Sequence, residues 1–192
     1  MAEKNEKIIM LRNVRLSFPE LFEAKPFNDS PGAKKEFSSS FLMPKDHPAV
    51  AEIKAACTKL AAEKWGEKGA QTLQALFRDD RLCLHDGDRK DYEGYAGNFF
   101  VRANNGVRPL VIDGAKNPIT EADGKIYSGC YVNATISLWC QDNKYGKRIN
   151  ANLRGVQFYK DGEAFSGGGS ATVDEFEATA ETPAGGLDAL GF

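Results

Sequence analysis

Residues 127–160 read YSGCYVNATISLWCQDNKYGKRINANLRGVQFYK, and the patterning of this stretch decides the fold class. From Cys130 to Cys140 it alternates with period two. Cys130, Val132, Ala134, Ile136, Leu138 and Cys140 fall on one face, a core face, and Tyr131, Asn133, Thr135, Ser137 and Trp139 on the other. The segment DNKYGKR, 142–148, turns the chain, with Gly146 as the permissive residue and Tyr145 among the cations Lys144, Lys147 and Arg148. A return strand over about 149–160 carries Arg154, Phe158, Tyr159 and Lys160. Tyrosine and tryptophan on an outer strand face are common in ordinary sheets, where they gain from cross-strand pairing. The same arrangement, rings spaced by small polar residues beside a basic tip, also suits a single-stranded nucleic acid whose bases stack and whose phosphates pair with Lys or Arg.

Working outward, residues 7–18, KIIMLRNVRLSF, predict a first strand with Ile9, Leu11, Val14 and Leu16 inward, Arg12 and Arg15 outward, and Pro19 as its end. A turn-rich loop over 20–35 leads to a second strand, 36–43, on which Phe37, Ser39 and Phe41 share a face. Asp46 as N-cap, Pro48 in the first turn and Val50, Ile53, Cys57, Leu60 and Ala61 at helical spacing predict a helix over about 48–64. A shorter helix over 71–78 follows. The loop 85–97 holds Asp86, Asp88, Asp91 and Glu93 with Arg89 and Lys90 among them. It reads as a solvated loop, or as an arm that folds over a bound strand through Tyr92 and Tyr95. A strand over 97–103 places Phe99 and Val101 on one face and Asn98, Phe100 and Arg102 on the other, and 108–113 adds a short strand. Short strands, regular turns and one long inserted helix make the fold mainly β. A small Greek-key barrel closed by a helix, of which the OB-fold is the familiar example, is favoured over a β-sandwich.

Composition bounds the rest. A chain of 192 residues that is 42% hydrophobic and 27% charged supports one domain with a full core. No apolar run nears the ~20 residues of a membrane span, and the first residues lack the apolar core of a signal peptide, so a cytoplasmic protein is expected. Cys57, Cys83, Cys130 and Cys140 form no CxxC pair and sit in apolar settings, which predicts free buried thiols. The net charge of −2 hides an asymmetry: all 25 Lys and Arg lie within 1–160, whereas seven of the 27 acids lie beyond. The body is therefore basic by five charges, as phosphate binding requires. The composition changes at SGGGS, 166–170, so a folded domain over 1–165 and a flexible, acidic tail over 166–192 are expected.

Catalytic constellations are missing. His47 and His85 have no evident nucleophile partner in sequence, and neither a phosphate-binding loop nor a dinucleotide fingerprint occurs. No cofactor or metal ligand set is assigned. The one catalytic idea the residues allow is a metal-dependent nuclease built from Asp86, Asp88 and Asp91, and one flexible loop rarely gives the rigid geometry such chemistry needs.

Two segments, LRNVRLSFPELFEAKPF at 11–27 and VIDGAKNPITEADGKIYSGCYVNATISLWCQDNKYGKRINANLRGVQFYKDG at 111–162, resemble a phage single-stranded DNA-binding protein family once catalogued as a domain of unknown function. The resemblance spans most of 8–165. It implies an OB-fold that coats single strands during phage replication or recombination. It also implies a disordered acidic tail with a terminal aromatic that recruits replication or recombination proteins; here the tail residues are Asp174, Glu175, Glu177, Glu181, Asp188 and Phe192, with Gly191 where a proline is usual. Combined with the residue reading, the expected DNA contacts are stacking by Tyr92, Tyr95, Phe100, Tyr131, Trp139, Tyr145 and Tyr159, and phosphate pairing by Arg12, Arg15, Arg102, Lys144, Lys147, Arg148 and Arg154. The alternative from another class is a protein-interaction module acting through its tail.

Overall fold

The computed structural model describes residues 7–165 and 176–179. Seven strands and two helices follow in the order β1 (Lys7–Pro26), β2 (Lys35–Pro44), α1 (Pro48–Trp65), α2 (Gly69–Arg78), β3 (Leu84–Asp86), β4 (Asn98–Asn105), β5 (Leu110–Ile112), β6 (Tyr131–Asn143) and β7 (Gly146–Lys160). β1 pairs antiparallel with β2 and β6, β2 with β4, and β6 with β7. A parallel contact between β4 and β7 at Asn104 and Asn152 closes these five strands into a barrel. β3 and β5 are short edge additions to β4 and β7. This is the OB-type barrel the strand pattern predicts.

The interior follows from the alternation. Ile9, Leu11, Val14 and Leu16 from β1, Cys130, Val132, Ala134, Ile136 and Leu138 on or beside β6, and Ile149, Ala151 and Leu153 from β7 are all buried in one cluster. Truncating one of them, such as Leu138→Ala, costs about 2–5 kcal/mol through lost burial and a residual cavity. The imperfect alternation of β1 has a structural cause. Its register against β6 shifts between Leu11 and Val14, where Asn13 adopts φ 53 and re-aims the following residues inward. The strand also runs past Pro19, the expected stop, to Pro26, because the proline falls within a second irregularity, between Ser17 and Glu20, where no ladder bond is needed.

α1 lies between the second and third barrel strands in chain order and buries Val50, Ile53, Ala56, Cys57 and Ala61 against the barrel. Its N-cap is His47 rather than Asp46. The His47 Nδ1 accepts from the Ala49 N–H at 3.1 Å, while its Nε2 lies 2.8 Å from the Arg12 carbonyl oxygen, so one imidazole caps the helix and ties it to the β1 bulge. At the other end the Trp65 indole N–H donates to Asp142 Oδ2 at 2.8 Å, fastening α1 to the β6–β7 hairpin.

The cysteines are free; Cys57, Cys83 and Cys130 are buried and Cys140 half-buried. A contact with the Cys83 thiol and burial together push the Cys57 thiol up, and burial pushes Cys130 up and Cys140 up to about 11. These three thiols stay protonated at neutral pH. Titration of the native protein with a thiol reagent at pH about 7.5 is expected to be slow, becoming complete on denaturation.

Candidate nucleic-acid interface

A groove of about 760 Å³ crosses the outer face of β2 and β4. Its floor is Ser38 and Ser40 of β2 with Phe100, Arg102 and Asn104 of β4. One wall is the second half of β1 from Phe18 to Pro26 with Phe27 just beyond it, and the other is the turn end of the β6–β7 hairpin at Arg148 and Asn150 with the 80–83 segment. This is the face on which OB barrels bind oligonucleotides, flanked by the loop joining the first two strands and by the last hairpin.

Aromatic rings run through it in edge contact. The centroids are 5.0 Å apart for Phe18 and Tyr92, 5.2 Å for Tyr92 and Tyr95, and 4.9 Å for Tyr95 and Phe100, and His85 stacks on Phe100 at 4.9 Å. The outer members are accessible, Phe18 at 45% and Tyr92 at 54%, and Phe27 stands at the rim at 85%. Tyr95 and Phe100 are not: at 2% and 5% exposure their rings are covered, and the Tyr95 hydroxyl donates to Ser17 Oγ at 3.1 Å. The expectation that these two rings stack on bases is revised accordingly. They form the base on which Phe18 and Tyr92 rest. Phe18 itself sits at φ 48, a conformation a non-glycine residue before proline seldom adopts. That inversion accompanies a ring half-exposed to the groove within a strand whose neighbour Leu16 is fully buried.

The charges sort by pairing. Three carboxylates line the groove, and each is engaged: Glu20 with Lys25 at 2.8 Å, Glu36 with Lys34 at 2.9 Å and with the Asn104 amide, and Asp80 with Lys90 at 3.0 Å and His85 at 2.7 Å. Five cations line it, and Arg81, Arg102 and Arg148 have no carboxylate partner among the described residues. Burial would raise the Asp80 carboxyl, but the hydrogen bonds from His85 and Lys90 outweigh it and hold the group below the ordinary aspartate value of 3.8. Burial lowers the His85 imidazole from 6.5 despite Asp80, so it is neutral at pH 7. The signs give two acid-side losses. The unfolded chain takes up a proton at His85 before the folded one, so stability falls as pH drops below about 6.5. The Asp80 contribution is present above about 3.8 and is lost as pH falls through its depressed folded value. The urea midpoint is therefore expected to fall between pH about 7.5 and about 5.5 in wild type, and to fall less in His85→Gln.

The loop 85–97 is built rather than loose. Lys45 Nζ bridges Asp86 at 3.1 Å and Asp88 at 2.6 Å, Asp88 also accepts the Gly97 N–H at 2.7 Å, and Asn98 donates to the Gly94 carbonyl at 2.7 Å. Two of the acids weighed for a metal are thereby bound to a lysine. The loop serves to carry Tyr92 over the groove.

Other sequence-predicted residues lie elsewhere. Arg15 donates to the carbonyls of Gly129 at 3.1 Å and Glu163 at 2.6 Å and lies 4.1 Å from the Phe165 ring centroid, so its donors tie the segment 161–165 to the barrel instead of standing free for phosphate. Tyr131, with Lys160 at 4.8 Å, belongs to that same patch, and Tyr159 lies 5.8 Å from the same lysine. Trp139 is half-buried on the outer face of β6, its indole N–H donating to Asn152 at 3.0 Å, and it pairs across the ladder with Asn150 of the groove wall. Lys144 and Tyr145 form the two-residue hairpin turn, with Gly146 at φ 104. Arg12, Arg15, Tyr131, Trp139, Lys144, Tyr145, Lys147, Arg154 and Tyr159 are outside the groove lining, whereas Tyr92, Tyr95, Phe100, Arg102 and Arg148 are in it. Sequence reasoning missed Phe18, Phe27, Lys25, Arg81 and Lys90. The available signal was FPELFEAKPF, aromatics and a cation beside a loop, together with the small SSS run at 38–40 that keeps the floor low. Of the tail residues, Glu177 is exposed, and Asp174, Glu175, Glu181, Asp188 and Phe192 lie outside the described residues.

No helix among the described residues is long and apolar enough to cross a membrane. The family model for the ssDNA-binding protein of Enterobacter phage Enc34 matches residues 7–185. Protein p50 of Acyrthosiphon pisum secondary endosymbiont phage 1 is 48% identical over 172 residues, covering 88% of this chain and 92% of the relative. Among solved structures, the single-stranded DNA-binding protein from bacteriophage Enc34 in complex with ssDNA superimposes with a TM-score of 0.67 at 33% identity, over 86% of this chain and 96% of that one. The single-stranded DNA-binding protein gp2.5 of bacteriophage T7, at 15% identity and a TM-score of 0.55 over 90% of this chain and 100% of that one, shares the fold. With the closed barrel and its aromatic groove in place, the chain belongs to the Enc34 single-stranded DNA-binding protein family.

Proposed function

We propose that this protein binds single-stranded DNA without sequence preference, coating and protecting strands exposed in phage replication or recombination in the host cytoplasm. It is a binding protein, not an enzyme. The observation that carries the reading is the groove itself, where accessible rings at Phe18, Tyr92 and Phe27 line one hollow with arginines 81, 102 and 148, which form no ion pair among the described residues. Rings accept any base, and guanidinium groups hold the phosphates between them. The solved relative in complex with ssDNA supports it. Residues 1–165 supply this activity. The acidic segment beyond, with Asp174, Glu175, Glu177, Glu181, Asp188 and Phe192, recruits replication or recombination proteins.

The decisive experiment is an anisotropy titration of a labelled thymidine oligomer at two salt concentrations, with duplex of equal length as competitor. Tight binding that duplex fails to displace is expected. Three phosphate-neutralising arginines give a slope of log affinity against log salt of about −2, at roughly −0.7 per phosphate on a single strand. Absence of binding at low salt, with or without residues 166–192, overturns the reading.

Trp139 and the Lys144–Tyr145 turn flank the groove and make secondary contacts. Trp139→Ala is expected to weaken binding by about 1 kcal/mol, near the low end for a stacked ring, with the domain still folded. A variant that melts far below wild type instead would make Trp139 a packing residue.

A further inference from the structure

A second concavity, of about 370 Å³, opens beside the groove between α2 and the β6–β7 hairpin, and Arg81 lines both. Arg81 is held at this junction by its surroundings. Its carbonyl accepts the Ile149 N–H at 3.4 Å, and one guanidinium nitrogen lies 2.7 Å from where a Cβ on Gly146 would stand. The guanidinium thus occupies the space the glycine leaves at the hairpin turn. Across the second concavity stand Lys147, Gln71 and Thr72. Its one carboxylate, Asp79, is engaged by Arg78 through two hydrogen bonds at 3.0 and 3.3 Å. Lys147 is placed over the Trp65 ring at 5.6 Å and, like Arg81, forms no ion pair among the described residues.

We infer that this second concavity is a DNA subsite: a strand leaving the aromatic groove passes over Arg81 and continues between Lys147 and the exposed polar start of α2. The inference rests on the single-strand reading of the main groove. The chemistry is that of a phosphodiester. Two cations outside any ion pair among the described residues converge where the one acid is already paired with Arg78, with side-chain amide and hydroxyl groups able to donate to phosphate oxygens. The second concavity offers no exposed aromatic of its own, so it holds backbone rather than bases. It therefore lengthens the footprint without adding base preference.

The test uses the full chain, thymidine oligomers of about 6 and about 16 nucleotides, and the variant Gln71→Glu, Lys147→Glu, the first position exposed and the second half-buried. Wild type is expected to bind the longer oligomer with a steeper salt dependence than the shorter. The variant is expected to bind the short oligomer within about twofold of wild type, and to lose about tenfold on the long one, with a salt slope shallower by about 0.7 for each phosphate released. Equal losses on both lengths, or no loss on either, overturn the subsite while leaving the main groove standing. Failure of wild type to bind either oligomer overturns the groove reading and the subsite with it. A thermal melt of the variant close to wild type is part of the expected result; a melt far below it assigns Lys147 to the packing of Trp65 and also overturns the subsite.

Discussion

Replacing Phe18 and Tyr92 together by alanine is expected to lower the affinity for a thymidine oligomer roughly a hundredfold. Each stacked ring is worth about 1–3 kcal/mol by truncation, and about 1.4 kcal/mol is a factor of ten. The two rings touch at 5.0 Å, so the losses do not simply add, and about 3 kcal/mol for the pair is the reasonable sum. Both side chains are half-exposed, so the melting temperature should fall by only a few degrees. Tyr95→Ala supplies the contrast. That ring is 2% exposed and hydrogen-bonded to Ser17, so its removal should destabilise the domain by about 3–5 kcal/mol, as loss of a buried aromatic does. An affinity for the double variant within about twofold of wild type, measured by the same titration, would move the stacking surface away from the groove.

Gly87→Ala is expected to damage both stability and binding through one loop. Gly87 is buried at the start of the turn that follows β3, and a Cβ there would overlap the backbone carbonyl oxygens of Tyr95 and Asn98. Neither atom is the end of a flexible side chain, so the loop carrying Tyr92 and Tyr95 must move as a unit. A loss of about 2–4 kcal/mol is the size such a forced shift produces, or about 5–15 °C in melting temperature for a domain of this length. Because Tyr92 is displaced with the loop, ssDNA affinity falls as well, even at a temperature where the variant is folded. Gly97, with nothing within 4 Å of its Cβ position but a φ of +77, offers a milder comparison in the same loop. Gly97→Ala should cost only the strain of its left-handed backbone, about 1 kcal/mol, and leave binding near wild type. Unchanged binding and stability in Gly87→Ala would mean that the loop tolerates displacement and that the position of Tyr92 is not set by it.

The fixed placement of Tyr92 is invisible in the amino-acid order. The loop 85–97 reads as charged and solvated because its acids and cations alternate. Only in the folded chain does Lys45, more than forty residues away, bridge Asp86 and Asp88 and convert the segment into a platform for Tyr92. Arg15 shows the same thing from the other side. As a cation on an outer strand face it reads as a phosphate ligand, yet the segment after β7 returns over it and takes its donors at Glu163. His47, not Asp46, caps α1 because the imidazole can hold the helix and the Arg12 carbonyl together.

What the sequence alone determined is whatever depends on neighbours along the chain. Period-two alternation put Val132, Ala134, Ile136 and Leu138 in the core, helical spacing built α1, and Gly146 marked the hairpin turn. These follow from local geometry, in which side chains alternate across a strand and repeat every 3.6 residues along a helix. Which of several surface aromatics and cations share one groove is set only when the strands close into a barrel. Closure of the barrel at Asn104 and Asn152 brings β1, β2, β4 and the turn end of the hairpin around a common hollow, and so selects Phe18, Tyr92, Arg81, Arg102 and Arg148 over Tyr131, Tyr159 and Arg15. The physical reason is that a ligand site is a property of long-range pairing register. Residues far apart in sequence converge only when the strands are paired, and no local pattern encodes that convergence.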